Sequence, residues 1–123
     1  MADFIENEHI KIWIEDEIVH GLYKKSAIIG LKAAQDVVAL RLKIQNGKSY
    51  KGIAYTSHMG VVSPEARKYL AAAGYEGIEK AAIITNSHMS NLIGNLFILS
   101  NKPPKPTRLF KNVEDAVKWL KEK

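Results

Sequence analysis

The 123-residue sequence contains no cysteine, which excludes a disulfide framework, thiol catalysis and thiolate metal sites in any compartment. It has no apolar run long enough to cross a bilayer. Its opening stretch, MADFIENEHI, lacks both the basic n-region and the apolar h-region of a secretion signal, so a cytoplasmic location is expected. Glycine loops that cradle phosphate are missing: Gly60 and Gly94 stand alone, without a lysine at the required spacing. The histidines are His9, His20, His58 and His88, and none forms the i, i+4 helical pair with a further carboxylate that zinc or iron sites use. No metal or other cofactor is therefore expected. Internal repeats, low-complexity tracts and interior domain boundaries are absent as well.

What is present is the composition of one soluble globular domain, 46% hydrophobic and 25% charged, long enough to close a core without staples. The net charge of +5 comes from scattered lysines. The densest basic run, NKPPKPTRLFKN, holds Lys102, Lys105, Arg108 and Lys111 around three prolines and reads as a solvated connection feeding a short strand. Nucleic acid is accordingly not an expected partner.

Ile10, Ile12 and Ile14 alternate with Lys11 and Trp13, the period of a half-buried strand. Glu15 to Glu17 reads as a turn, and IVHGLY, Ile18 to Tyr23, as the returning strand of a hairpin. His20 shares a face with Ile18 and Leu22, the setting of a core or edge histidine bonded to backbone rather than a ligand. From Gly30, the spacing of Ala33, Val37, Leu40 and Ile44 draws one helical stripe that Asn46-Gly47 ends. YKGIAYT is a strand whose Gly52 and Ala54 alternate with Ile53 and Tyr55. Small residues on one face imply a helix packed closely against it.

Ser63-Pro64-Glu65 is a helix start: a serine oxygen for the free amides, a proline preset for the first position, and an acid for the positive end of the dipole. That helix stops at Gly74. KAAIIT, Lys80 to Thr85, has the short apolar run of a strand buried on both faces, and a helix follows from about Ser90 to Leu99. TRLF is a strand, and Asn112 caps a last helix with Val113, Ala116, Val117 and Leu120 on its inner face. The order is β-β-α-β-α-β-α-β-α, an α/β domain with a mixed sheet of about five strands under four helices, spanning residues 9–123 behind a loose N-terminal arm of residues 1–8.

This order, with a serine opening the helix after the third strand, resembles the STAS domain shared by sulphate transporters and anti-sigma-factor antagonists. Segments such as ARKYLAA and RLFKNVEDAVKWL look like the small bacterial SpoIIAA-like proteins, many without an assigned role. The resemblance implies a non-enzymatic regulatory module that binds a protein partner through the loop and helix after the third strand. In the antagonists a serine at that helix start is phosphorylated by a partner kinase, and the corresponding position here is Ser63 or its neighbour Pro64. The family pattern at this loop, Asp, Ser, Ser or Thr, Gly, is replaced by Val62, Ser63, Pro64 and Glu65. Ser63 thus reads first as a helix cap.

Two further loops attract notice. Ser57-His58-Met59 recurs as Ser87-His88-Met89, each just past an apolar strand, so both tripeptides belong at the carboxyl edge where open α/β sheets bind ligands. Ser57, His58, Ser87 and His88 are therefore candidate binding-loop residues. They lack the orienting acid and the Gly-x-Ser-x-Gly turn of a hydrolase, and two histidines with two hydroxyls make a poor metal set. A protein partner is the leading expectation. The alternative is a small-ligand or lipid-binding module with an apolar pocket between sheet and helices. Trp13 and the open edge of the hairpin offer a surface for a homodimer.

Overall fold

The computed structural model describes residues 3–25 and 28–122. Where the sequence implies a loose arm, Phe4–Glu6 forms a strand, β1, which makes six strands among the described residues rather than five. Its cause is local: Asn7 Oδ1 accepts from the amides of His9 (2.8 Å) and Ile10 (3.0 Å) and so turns the chain back. Phe4 then pairs with Trp13 and Ile5 with Ile12 across an antiparallel ladder to β2, Ile10–Glu15. Residues 1 and 2 of the arm lie outside the described residues.

β2 pairs antiparallel with β3, Ile18–Tyr23. The connection is the two residues Asp16 and Glu17, with φ of 56° and 62°, which is the primed turn whose twist matches a hairpin. α1, Leu31–Gln45, follows, capped by Gly30 and ended by Asn46 in the left-handed conformation. Then come β4, Tyr50–Tyr55, and α2, Pro64–Ala72, with a single tight turn over Ala73–Tyr75. β5 is Ile78–Ile84, α3 is His88–Leu96 with a wider turn over Phe97–Asn101, β6 is Thr107–Phe110, and α4 is Val113–Lys121. The sheet order is β1 to β6 in sequence, the last three pairings parallel. Among the described residues no helix is long and apolar enough to cross a membrane.

The register divides the sheet into two faces. Val19, Gly21 and Tyr23 stand beside Gly52, Ala54, Ala81 and Ile83 on one of them. There Ile10, Ile12, Ile29, Val37 and Val62 join the larger core under α1 and α2. On the other face Ile18, Ile53, Ala82 and Ile84 meet Ala116 and Leu120 of α4. Ile12, Ile29 and Leu120 are almost fully withdrawn from water, each burial contributing about 1.5–3 kcal/mol. His20 lies on the α4 face. It is buried as the sequence implies, and its Nδ1 lies 2.9 Å from the Tyr55 hydroxyl while the Glu15 backbone carbonyl also acts on the ring.

Candidate functional site

The face beneath α1, α2 and α3 is hollow. The central strands present Gly21, Gly52, Ala54 and Ala81 there, and small side chains leave room that the helices do not fill. A methyl group added at Gly21 would touch only the Ile10 side chain. At Gly52 it would meet Ile78 Cδ1 at 3.3 Å and Val19 Cγ1 at 3.5 Å, both atoms of neighbouring strands. The close helix that Gly52 and Ala54 lead one to expect is thus not seated on them. Such packing occurs further along: a methyl at Gly94 of α3 would lie 2.9 Å from Leu109 Cδ2 and 3.2 Å from Thr85 Cγ2.

The result is a cavity of about 170 Å³. Its walls are apolar: Val37 and Val38 from α1, Leu70 from α2, Ile93 and Phe97 from α3 and its extension, and Met59 and Val62 from the loop after β4. Tyr75 stacks against Phe97, ring centres 6.3 Å apart, and its hydroxyl lies 2.6 Å from Thr107 Oγ1. Burial pushes the Tyr75 phenol up to about 12, and Tyr23, also in the wall, to about 12.

Two arginines interrupt the apolar lining, one at each end of the helix pair. Arg41 in the last turns of α1 donates from Nη2 to the Gly74 carbonyl (3.0 Å) and from Nη1 to Gln45 Oε1. Burial lowers its pKa from the ordinary arginine value. Arg67 in the first turn of α2 donates from Nη1 to the Val62 carbonyl, 3.1 Å. Its Nε is out of contact with solvent and has no hydrogen-bond partner. Neither guanidinium forms an ion pair with Asp or Glu among the described residues.

The candidate residues of the sequence fall around one edge of this cavity without forming one cluster. β4 and β5 are parallel neighbours, with Tyr55 opposite Ile84, so both Ser-His-Met loops do leave the same carboxyl edge. The repeats then diverge. Ser57 and His58 occupy a turn in which the Met59 amide donates to Thr56 O, and Met59 enters the cavity wall. Ser87 instead caps α3 reciprocally with Ser90, His88 opens the helix on its exposed side, and Met89 is 50% exposed. No hydrogen bond links the two tripeptides among the described residues, and no three of His, Cys, Asp and Glu gather there as a metal set. Ser63 is the N-cap of α2, its Oγ accepting from the Ala66 amide at 3.1 Å.

Arg41 and Arg67, the two charged residues of the lining, escaped the sequence reading. A signal existed. Arg41 falls on the stripe of Ala34, Val37, Val38 and Gln45, and Arg67 stands one and two turns before Leu70, Ala71 and Gly74, so each is a cation at a core-facing helical position.

Residues 12–123 match the model of a family described as a domain of unknown function, DUF7793. The chain belongs to that family. Among solved structures this DUF7793 chain is similar to an uncharacterized protein of the DUF3478 family with a SpoIIAA-like fold from Shewanella loihica PV-4. The TM-score is 0.63 at 14% identity, covering 96% of this chain and 99% of that one. The likeness establishes the SpoIIAA-like, STAS-like fold expected from the order of elements. No curated protein matches the chain.

Proposed function

We propose that this DUF7793 chain is a non-enzymatic binding module whose ligand is a small, mainly apolar molecule held between the sheet and α1 to α3. The carrying observation is the hollow over Gly52, Ala54 and Ala81, walled by apolar side chains with two arginines as its charged members. Ligand sites are typically concave and apolar with a few placed polar groups. A well-packed core of this size leaves few voids larger than a water molecule. The test is binding of toluene, an uncharged one-ring molecule, to the wild-type chain and to Ala54→Leu, whose added side chain projects into the hollow, followed by the methyl resonances of the cavity wall. Shifts of those methyls in the wild type and their loss in the folded variant support the reading. A wild-type chain whose wall methyls toluene leaves unmoved rejects it.

A second reading, protein docking at the loop before α2, draws on a separate observation. Ile29 and Val62 pair across a short parallel bridge between the loops after β3 and β4, and the residues before them, Ile28 and Val61, are 71% and 59% exposed. Two large apolar side chains held outward by backbone pairing suit a partner's apolar surface. A photoreactive residue at position 61 should then yield a discrete protein adduct in cells, with none from a control at exposed Lys118. Equal labelling at both positions would reject docking there.

A further inference from the structure

Arg67 indicates which apolar molecules fit. Its guanidinium is permanently charged and presents five donors in a planar fork. One arm is committed: Nη1 donates to the Val62 carbonyl at 3.1 Å. The opposite edge, formed by Nε and Nη2, is the one that receives the two oxygens of a carboxylate side by side. On that edge Nε is buried without a partner, and Nη2 makes no hydrogen bond among the described residues. A buried donor left in this state is costly, and more so on a charged group.

The neighbouring polar groups do not relieve it. Thr56 Oγ1 and Ser90 Oγ, the hydroxyls of the wall, donate to the carbonyls of Ile84 (2.8 Å) and Ser87 (3.3 Å), and among the described residues neither oxygen accepts from Arg67. Arg41, at the other end of the helices, is already held by Gln45 and Gly74. Arg67, in the first turn of α2, is thus the cation of the lining with a free carboxylate-binding edge.

We infer that the cavity takes an amphiphilic monocarboxylate, its carboxylate on the Nε/Nη2 edge of Arg67 and its apolar body along Ala54 and Ile93. This rests on the cavity reading proposed above and adds the charge of the ligand to it. The volume, about 170 Å³, is close to that of an engineered cavity of about 150 Å³ that binds benzene. The body is therefore a single ring or a short chain.

Octanoate and 1-octanol, which share a chain and differ in the head, separate the two claims. Each is titrated into the full chain, wild type and Arg67→Met, followed by methyl resonances of the cavity wall and by the Arg67 Nε–H resonance of the wild type. The expected result is octanoate binding at least about tenfold tighter than 1-octanol, as a charge-assisted pair gives, with a shift of the Nε–H signal. In Arg67→Met the preference vanishes while 1-octanol still binds. Equal binding of the two ligands, or an unmoved Nε–H signal on octanoate binding, overturns the carboxylate assignment and leaves the cavity reading standing. Failure of both ligands to shift the wall methyls overturns the cavity reading and this inference together. The Nε–H readout decides the matter in the wild type even where Arg67→Met fails to fold.

Discussion

His20 Nδ1 lies 2.9 Å from the hydroxyl oxygen of Tyr55, tying β3 to β4 on the sheet face opposite the cavity, and the Trp13 ring stacks on the imidazole at 5.0 Å and 5°. Burial holds this histidine below its ordinary 6.5, against the opposing pull of the Glu15 carbonyl and of the Glu15 and Asp16 carboxylates. The unfolded chain therefore takes up the proton first as pH falls. The stability that neutral His20 contributes is complete above 6.5 and drains away as pH drops through the lower folded-state value. Urea denaturation from about pH 8 to about pH 5 should show the wild type losing more stability than His20→Phe. Parallel curves would mean that the ring is protonated as readily in the fold as outside it.

The β2–β3 turn has room for improvement. Asp16 and Glu17 both hold positive φ, 56° and 62°, a conformation that asparagine, aspartate and glycine tolerate and that costs glutamate about 1 kcal/mol. Glu17→Gly converts the turn to Asp-Gly and should raise stability by roughly 0.5–1 kcal/mol, the relief of strain outweighing glycine's extra freedom in the unfolded chain. Asp16 must stay, because its Oδ2 accepts from Lys121 Nζ at 2.6 Å and ties the turn to α4. A lower urea midpoint in Glu17→Gly would show that the turn carries no such strain.

The α/β order was legible because helix starts and strand periods are local. Ser63-Pro64, Asn46 and Asn112 act at the positions where short-range chemistry places them. β1 was not, since three residues carry too little alternation, and the pairing of Ile5 with Ile12 depends on the Asn7 turn. The shared edge of the Ser-His-Met loops followed from parallel strands, but whether Met59 points in and Met89 out depends on where each helix starts. Most hidden was the cavity. Small residues on β4 say that space exists above them, and only the third dimension tells whether a helix or a hollow occupies it.

Ser63 holds α2 by its side chain, Oγ accepting from Ala66 N at 3.1 Å. Ser63→Ala should cost about 1 kcal/mol in unfolding free energy, whereas Ser63→Asp, also a good cap, should stay within a few tenths of the wild type. Chemical denaturation of the three proteins checks the order. A Ser63→Ala chain as stable as the wild type would remove the capping role and leave the hydroxyl without a structural use.

Gln45 is 1% exposed at the end of α1, and its amide serves three partners. Nε2 donates to the carbonyls of Lys48 (2.9 Å) and Gly77 (3.0 Å), and Oε1 accepts from Arg41. Gln45→Leu keeps most of the volume but strands two carbonyls and one arm of a half-buried guanidinium, so it should cost roughly 3 kcal/mol. Arg41→Met removes the cation and leaves Gln45 Oε1 and the Gly74 carbonyl without their donor, at roughly 2 kcal/mol. Combining the changes removes Arg41 Nη1 and Gln45 Oε1 together, so neither half of that pair is left stranded, while the carbonyls of Lys48, Gly74 and Gly77 stay without their donors as in the single variants. The double variant should accordingly lose about 1 kcal/mol or more less than the two single losses added. Urea denaturation of the four proteins measures this coupling. Additivity within about 0.3 kcal/mol would show that Arg41 and Gln45 stabilise the end of α1 independently of one another.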